Sequence, residues 1–216
     1  MNIPEIFKFN DDVSENFDIH VNEQLPWYGL VTDFVCHLAC HYLKDNGRLL
    51  DVGASTGNIT RQLSSVITAR NITAFSVDNS ESMRANFNGV GSLDICNIED
   101  FNLEKYDVIV CCLSLMFVDV SKREQVISNL IMALNKKGCL IIVDKFNPSG
   151  GYIGNAISKM TMKAKLKNGA TAEDILKKEL SLIGVQRPMD IEMMQNQDFF
   201  EFFRFGDFSG LIYEGK

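Results

Sequence analysis

A glycine-containing turn, followed at a fixed distance by a carboxylate, carries the clearest chemical signal in this sequence. Residues 49–57 read LLDVGASTG, and Gly53 and Gly57 let the backbone turn sharply and approach a ligand closely. Asp78 lies 21 residues after Gly57, where an acidic residue accepts hydrogen bonds from both ribose hydroxyls. An Ala-Ser pair replaces the second glycine of a dinucleotide fingerprint, and the P-loop lysine is absent. The segment predicts a nucleotide-like ligand without a pyrophosphate.

A second carboxylate, Asp94, lies near the end of the next short apolar segment and is followed by Ile95. It is placed to accept a hydrogen bond from an exocyclic adenine amine, while Ile95 packs on the ring. Asp78 also has a structural alternative, a charge at a helix N-terminus that is capped by Ser80. Cys112 ends a long apolar run, and strand packing explains it better than nucleophilic chemistry.

Short apolar segments alternate with amphipathic stretches and predict the elements that position these residues. The predicted strands are 48–52, 72–77, 93–95, 106–113 and 139–143, and helical spacing covers 58–66, 80–86 and 122–134. This alternation is typical of βαβ units in a doubly wound, mostly parallel sheet, whose ligands lie outside the carboxyl ends of the strands. Residues 199–214 predict a closing hairpin around Gly206 and Asp207.

The length of 216 residues indicates a single domain over 1–216. We divide it into an N-terminal lid (1–43), a ligand-binding core (46–146), a helical cap (150–187) and the C-terminal hairpin (199–214). Pro26, Trp27 and Tyr28 are expected to cover the ligand as a lid. The cap is rich in lysine, which a solvated helix face explains better than a binding surface.

Composition excludes several classes of protein. Hydrophobic residues make up 46% of the chain, so wholesale disorder is excluded, and the sequence predicts neither a membrane span nor a signal peptide. We therefore expect a cytoplasmic protein. The formal net charge of −7 argues against a general nucleic-acid coat, although a local basic face could still hold an anion.

Two candidate groups for other chemistry lie before the first strand. Cys36, His37, Cys40 and His41 form i,i+4 pairs on a helix, but a closed zinc site needs four converging ligands and no second cluster follows. We therefore predict no metal. His20 is a candidate general base, but capping or packing explains a lone histidine better, so no catalytic residue is assigned.

The four segments around Gly53, Asp78, Asp94 and Tyr106, in this order and spacing, resemble the class I S-adenosylmethionine-dependent methyltransferases over roughly residues 46–146. The turn matches their motif I, Asp78 their ribose-binding acid, Asp94 their adenine-side acid, and the strand from Tyr106 their motif IV. The resemblance implies a Rossmann-like sheet of seven strands with a reversed last pair, N-terminal lid helices and a helical insertion after the fifth strand. It also implies S-adenosylmethionine as the cofactor.

A closer resemblance, to the carboxy-S-adenosylmethionine synthase family, extends over more of the chain. The segments 9–13, 17–20, 25–28, 78–80, 113–117, 144–146 and 167–169 are similar to that family. Its members make a carboxylated cofactor from S-adenosylmethionine and prephenate for modification of the tRNA wobble base. The resemblance implies cofactor binding by Tyr28, Asp78, Asn79, Asp94 and Ile95. With the turn and the strand ends, the full predicted cofactor site is Tyr28, Asp51, Gly53, Ala54, Ser55, Gly57, Asp78, Asn79, Met83, Asp94, Ile95 and Cys112.

Two departures separate this chain from that family. Glu179 stands where the carboxylate-binding Arg aligns, and Cys112 where the family has Asn; Lys178 reaches the Arg position only after a one-residue shift. We expect Glu179 to lie at the outer mouth of the site and to repel a carboxylated cofactor. The sequence therefore favours a methyltransferase that acts on a small or anionic acceptor.

Two alternative interpretations of the sequence remain open. A carboxy-S-adenosylmethionine synthase-like enzyme and a non-catalytic S-adenosylmethionine-binding protein are the alternatives. Direct N- or C5-methylation of DNA is not expected, because the sequence contains neither an Asn/Asp-Pro-Pro-aromatic run nor a Pro-Cys pair after the fourth strand. A homodimer is compatible with the sequence.

Overall fold

The computed structural model describes residues 17–148, 150–195 and 197–216. Within these residues the strands are β1 (Arg48–Val52), β2 (Thr73–Asp78), β3 (Ser92–Ile95), β4 (Tyr106–Cys112), β5 (Leu134–Lys145), β6 (Phe200–Phe205) and β7 (Phe208–Glu214). The helices are α1 (Phe17–Gln24), α2 (Tyr28–Tyr42), α3 (Asn58–Gln62), α4 (Ser64–Ala69), α5 (Ser82–Asn86), α6 (Arg123–Met132), α7 (Gly151–Lys167), α8 (Ala172–Ser181) and α9 (Ile191–Gln195). A short 3₁₀ turn, Leu115–Phe117, follows β4.

The strands form one sheet in the order β3-β2-β1-β4-β5-β7-β6. β1 to β5 are mutually parallel, and β7 runs antiparallel to both of its neighbours, β5 and β6. This confirms the predicted doubly wound, mostly parallel, seven-stranded sheet with helices on its faces. The chain order reverses between β1 and β4, which makes this the switch point where ligands of such sheets bind.

The central strands are buried on both faces, as their continuous apolar runs predict. Val108 and Val110 of β4 pack into the core layer that α2 and α3 cover, whereas Ile109 and Cys111 face the layer beneath α6. All four side chains are completely buried. Helices on both faces are required because a parallel sheet with such strands has no side that water can face.

Several boundaries differ from the prediction. The helix predicted over 58–66 divides into α3 and α4, because Leu63 leaves helical geometry between them. β5 begins at Leu134 rather than at Cys139, and the turn-like Lys136-Lys137-Gly138 lies inside the strand; Lys137 has a φ of 62°. The predicted hairpin forms as β6 and β7, with Gly206 and Asp207 between them.

Trp27 does not act as the predicted lid. Its side chain is 5% exposed and its ring packs against Phe203, Phe205 and Phe208, with ring centroids 5.4, 6.3 and 4.8 Å away. The prediction that Trp27 covers the ligand is therefore wrong. Its physical role is to join the N-terminal helices to the C-terminal hairpin, an apolar contact between two ends of the chain that sequence spacing cannot reveal.

The insertion between β5 and β6 contains α7, α8 and α9 and corresponds to the predicted cap. Thr171 caps α8 by accepting a hydrogen bond from the Asp174 amide (3.1 Å). The division into lid, core, cap and hairpin stays a prediction, as does the single-domain assignment. In the described residues, no helix combines the length and the apolar character that a membrane crossing requires.

The packing of Trp27 generates a stability prediction. Trp27→Ala should lower the free energy of unfolding by about 3–5 kcal/mol, because it leaves a large cavity among three Phe rings. Phe200→Ala is the matched control, since Phe200 is 70% exposed, and it should change stability by less than about 1 kcal/mol. Urea denaturation measures both, and equal losses in the two variants would contradict the proposed packing role.

Candidate functional site

A cavity of about 370 Å³ opens at the carboxyl ends of β1, β2 and β4. Nine of the predicted site residues line it: Tyr28, Asp51, Gly53, Ala54, Ser55, Asp78, Asn79, Met83 and Cys112. The wall is completed by Val52, Thr56, Asn58, Ile59, Val77, Cys96, Asn97, Ile98, Glu99, Leu113, Ser114, Leu115, Phe117, Val118, Asp119 and Lys122. The cavity therefore lies at the switch point of the sheet, where the sequence places the ligand.

The Gly53 turn lies directly against the end of β4. Gly53 has a φ of 71°, and a Cβ added there would lie 2.4 Å from the Ser114 Cβ. The Gly53 and Ala54 amides both donate to the Val77 carbonyl, at 2.8 and 3.1 Å. Glycine is thus required at this position for two reasons, its left-handed backbone and the close approach of Ser114. The turn joins the ends of three strands around the cavity.

Asp78 sits at the end of β2 and holds two loops together. Its Oδ2 accepts a hydrogen bond from the Ser55 amide and its Oδ1 one from the Ser80 amide, both at 2.9 Å. Burial raises the pKa of Asp78, and these backbone donors oppose that effect. The Ser80 cap of the structural alternative is not found, because α5 begins at Ser82, its N-cap position is Glu81 and no side chain caps it; Asp78 instead supports the segment before the helix. The Asn79 amide is a third backbone donor, and a carboxylate with about four lone-pair sites can still accept a ligand hydroxyl beside these three.

Asp51 is a buried carboxyl group whose bonding is incomplete. It is 2% exposed, and its Oδ2 finds no hydrogen-bond partner among the described residues. Burial and, to a smaller extent, the nearby charge of Asp78 together raise its pKa from 3.8 to about 7. Ser114 Oγ on the opposite wall is also buried without a partner in the described part of the chain. Buried polar atoms without partners are costly, so both fit a ligand that brings its own donors.

Among the described residues, the N-terminal helices contribute one side chain to the cavity, that of Tyr28. The Tyr28 hydroxyl accepts a hydrogen bond from Asn58 Nδ2 (3.1 Å), and Asn58 Oδ1 accepts one from Gln62 Nε2 (3.1 Å). These bonds connect the first turn of α2 to α3. Tyr28 is therefore fixed at the cavity, whereas its neighbour Trp27 points into the hairpin. The two aromatic residues predicted to act together have separate roles.

Three predicted residues do not line the cavity, namely Gly57, Asp94 and Ile95. Asp94 is exposed, and the cavity wall is formed by the loop that follows it, from Cys96 to Glu99. In that loop Asn97 Oδ1 accepts a hydrogen bond from Asn79 Nδ2 (3.2 Å), and Ile98 is buried. Sequence reasoning missed Asn97 and Ile98 because it expected the last residues of β3, rather than the residues beyond them, to reach the ligand.

The cysteines at the end of β4 are not activated nucleophiles. Burial raises the pKa of the Cys112 thiol, and Asp51 and Asp144 raise it further. Burial likewise raises the pKa of Cys111, with Asp144 and Asp51 adding to the effect. A thiol kept protonated attacks poorly, which agrees with the packing role that the sequence suggests. Beyond Cys112 the chain turns through Leu113, at a φ of 58°.

Glu179 does not lie on the cavity wall as expected. Its Oε1 pairs with Lys165 Nζ at 2.7 Å, and Lys165, Lys145 and Lys178 together lower its pKa against the effect of burial. Burial and, to a smaller extent, the charge of Lys165 together lower the pKa of Lys178 to about 8. The expected repulsion of a carboxylated cofactor therefore loses its basis, because the charge of Glu179 is offset by lysines that alignment of a single position does not reveal.

The Cys-His segment of α2 forms no metal centre in the structure's described residues. His37 Nε2 and His41 Nε2 lie 3.3 Å apart on an exposed face, whereas Cys36 is buried. Among the residues described, no group of three or more His, Cys, Asp or Glu side chains is arranged to hold a metal ion.

The raised pKa of Asp51 generates a pH prediction. The pKa of Asp51 in the folded protein lies above 3.8, its ordinary value, which applies in the unfolded chain. The neutral carboxyl group therefore contributes stability that is fully present below about pH 4 and is lost as the pH rises through about 7. Asp51→Asn keeps the neutral shape at every pH. The variant should match wild type at pH 4 and exceed its free energy of unfolding by about 2 kcal/mol or more at pH 8. The same difference in the free energy of unfolding between Asp51→Asn and wild type at both pH values would contradict the burial of a carboxyl group here.

Comparison with known proteins identifies the family. The sequence profile described as "Methyltransferase domain" matches residues 43–199. The carboxy-S-adenosyl-L-methionine synthase of Staphylococcus epidermidis is 27% identical over 215 residues, which cover 94% of each chain. The enzyme of the same name from Shewanella pealeana is 26% identical over 200 residues, 88% of this chain and 82% of the relative.

Solved structures show the same fold. An O-methyltransferase family protein from Burkholderia thailandensis superposes with a TM-score of 0.62 at 13% identity, covering 96% of this chain and 60% of that one. The plantazolicin methyltransferase BamL, solved with a substrate analogue and SAH, gives a TM-score of 0.58 at 17% identity over 86% of this chain and 64% of its own. The fold, the profile match over most of the chain and the predicted motifs agree: the chain belongs to the class I S-adenosylmethionine-dependent methyltransferases.

Proposed function

We propose that this enzyme transfers the methyl group of S-adenosylmethionine to a small anionic acceptor. The observation that carries the proposal is the pair of carboxyl groups at the switch point: Asp51, which is buried and has an oxygen without a partner among the described residues, and Asp78, which is half-buried. A cofactor with an ammonium group and ribose hydroxyls supplies the donors that these two residues require. When bound, it also supplies an activated methyl group on a positively charged sulfur.

The residues present fit the cofactor in chemistry and position. Asp51 would receive its ammonium group and Asp78 its ribose, while the loop with Asn79, Asn97 and Ile98 would hold the adenine. The Gly53 turn brings backbone close to the ligand, because no side chain stands between them. In this assignment Asn97 and Ile98 take the adenine-side role that the sequence analysis gave to Asp94 and Ile95.

The acceptor side of the proposal rests on charge. Lys145 ends β5 beside β4, whose Cys112 lines the cavity, and its Nζ donates to Gln186 Oε1 (3.2 Å). Lys165 is 7% exposed and pairs with Glu179, and Lys178 is also largely buried near both. Three lysines therefore lie near Glu179, and one of them, Lys145, also lies near Asp207. This cluster carries one net positive charge and lies off the cavity wall, whose own charged residues are Asp51, Asp78, Glu99, Asp119 and Lys122. The support for an anionic acceptor therefore comes from the cap and not from the wall.

Chemistry at the acceptor requires little from acid or base groups. The sulfur-bound methyl group is already activated, so alignment of acceptor, methyl group and sulfur supplies most of the acceleration. The chain's own contribution is to orient the acceptor and to exclude water. For this reason the proposal assigns no catalytic base.

A second candidate function is carboxy-S-adenosylmethionine synthesis. The observation that favours it is the set of curated relatives with that name, which match almost the whole chain at 24–27% identity. Lysines around Glu179 would attract rather than repel a carboxylated cofactor, so charge does not separate the two candidates.

Mass spectrometry of the nucleoside that co-purifies with the protein separates them. S-adenosylmethionine or S-adenosylhomocysteine supports methyl transfer, whereas a species heavier than S-adenosylmethionine by the mass of CO₂ supports the second candidate. Incubation with labelled S-adenosylmethionine, with and without prephenate, provides the independent check. Formation of the carboxylated product only with prephenate would overturn the first proposal.

Asp78 and Asp94 form a matched pair for testing the cofactor site. Asp78→Asn should weaken S-adenosylhomocysteine binding by about 1–3 kcal/mol, because a charged acceptor is lost from the ribose position. Asp94→Asn removes the same charge from an exposed carboxylate off the cavity wall and should leave the affinity unchanged. Isothermal titration calorimetry measures both affinities. A larger loss in Asp94→Asn than in Asp78→Asn would indicate that the cofactor binds at the end of β3 instead.

A further inference from the structure

One wall of the cavity is held in place from behind by two buried side chains. Leu115, Phe117 and Val118 belong to the 3₁₀ turn after β4 and the residue beyond it, and all three line the cavity. Arg123, at the start of α6, and Asp144, near the end of β5, do not line it and are 4% and 0% exposed.

Arg123 bonds three backbone carbonyls from two separate segments. Its Nη2 donates to the Met116 carbonyl (2.8 Å) and its Nε to the Val118 carbonyl (3.0 Å), in the segment that contributes Leu115, Phe117 and Val118 to the cavity wall. Its Nη1 donates to the Pro188 carbonyl (2.9 Å), in the segment where the cap returns to the sheet. One guanidinium therefore bridges the cavity wall and the end of the cap.

Asp144 holds the same turn from its other side. Its Oδ2 accepts a hydrogen bond from the Met116 amide (3.2 Å), and its Oδ1 one from the Lys145 amide (2.9 Å). Met116 is thus fixed at its N–H by Asp144 and at its carbonyl by Arg123. The Arg187 amide also donates to the Met116 carbonyl (3.0 Å), which adds a backbone bond between wall and cap.

We propose that Arg123 is a positioning residue that fixes the acceptor-side wall of the cavity to the helical cap. A planar fork with five donors can reach three carbonyls at once, whereas an ammonium group cannot reproduce that arrangement. A buried cation also carries a large desolvation cost, which a purely apolar packing residue would avoid. Asp78 and the Gly53 turn belong to the opposite wall and have no bond to Arg123.

The consequence for catalysis rests on the proposed function, because it assumes that the acceptor lies between this wall and the lysines of the cap. Loss of Arg123 should then affect acceptor binding and leave cofactor binding intact. The structural claim itself does not depend on the acceptor, so it can be tested without one.

Hydrogen exchange with mass spectrometry on the full-length protein tests the bridge. In Arg123→Met, amides of 114–119 and 186–190 should exchange about tenfold faster or more, the factor expected for loss of hydrogen bonds to a charged group. Residues 53–57 and 77–80 should keep wild-type exchange, and calorimetry should give an unchanged Kd for S-adenosylhomocysteine. Arg123→Lys should restore part of the protection.

Arg70→Met is the matched control. Arg70 also bridges carbonyls, those of Cys40 and Leu43 (both 2.6 Å), away from the cavity wall. This variant should speed exchange near 40–46 and leave 114–119 and 186–190 unchanged. If Arg123→Met does not fold, Arg123→Lys and Asp144→Asn replace it, and Asp144→Asn should loosen 114–119 more than 186–190.

Two results would overturn the proposal. Unchanged exchange of 114–119 in Arg123→Met would show that the wall does not depend on the guanidinium. Uniformly faster exchange across all strands would show that Arg123 serves global stability alone. Once an acceptor is known, Arg123→Lys should raise its KM with an unchanged cofactor Kd. An unchanged KM for the acceptor, together with the expected change in hydrogen exchange, would count against the proposed function and not against the bridge.

Discussion

The contact between Gly53 and Ser114 brings the ends of β1 and β4 close enough to share a cavity. A side chain on Gly53 would lie within 2.4 Å of the Ser114 Cβ, so the two loops meet only because none is there. The same turn donates two amides to the Val77 carbonyl, which adds β2 to the group. Asp51, Asp78 and Cys112 face one space as a result. The cavity is therefore set by backbone packing before any side chain takes part.

Three carboxyl groups lie at this edge of the sheet, Asp51 and Asp144 buried and Asp78 half-buried, and each has a different role. Burial raises the pKa of Asp51 and of Asp144 to about 7 and also raises that of Asp78. Asp78 and Asp144 receive backbone N–H donors, so their charges support loops on opposite walls. Asp51 keeps an oxygen without a partner among the described residues. The unpaired oxygen of Asp51 lowers the stability of the folded protein at a group to which a ligand can donate a hydrogen bond, as expected for a binding site.

Local patterns predicted the sheet and nine of the residues that line the cavity, because a parallel strand and the turn after it are encoded in adjacent residues. Contacts distant in sequence were not predictable in this way. Trp27 packs against Phe203 and Phe208, from which it is separated by most of the sequence. Glu179 pairs with Lys165, which lies on a different helix. Asn97 was missed for a different reason: the ligand-facing position lies beyond the end of β3, where periodicity gives no signal. Sequence reasoning therefore placed correctly the residues whose position follows from strand order, and it misplaced those whose position depends on tertiary packing.

The insertion that carries α7 and α8 closes on itself at its base. It leaves the sheet after Phe146 and returns where Met189 pairs with that same residue; the Met189 amide donates to the Lys145 carbonyl (2.7 Å). The two ends of a segment of some forty residues therefore sit side by side, so its length can change without moving the strands on either side. A fold organised in this way can exchange the inserted module while it keeps the cavity at the switch point. Divergence among relatives should then concentrate between these two points, and the segment can be grafted between relatives without rebuilding the sheet.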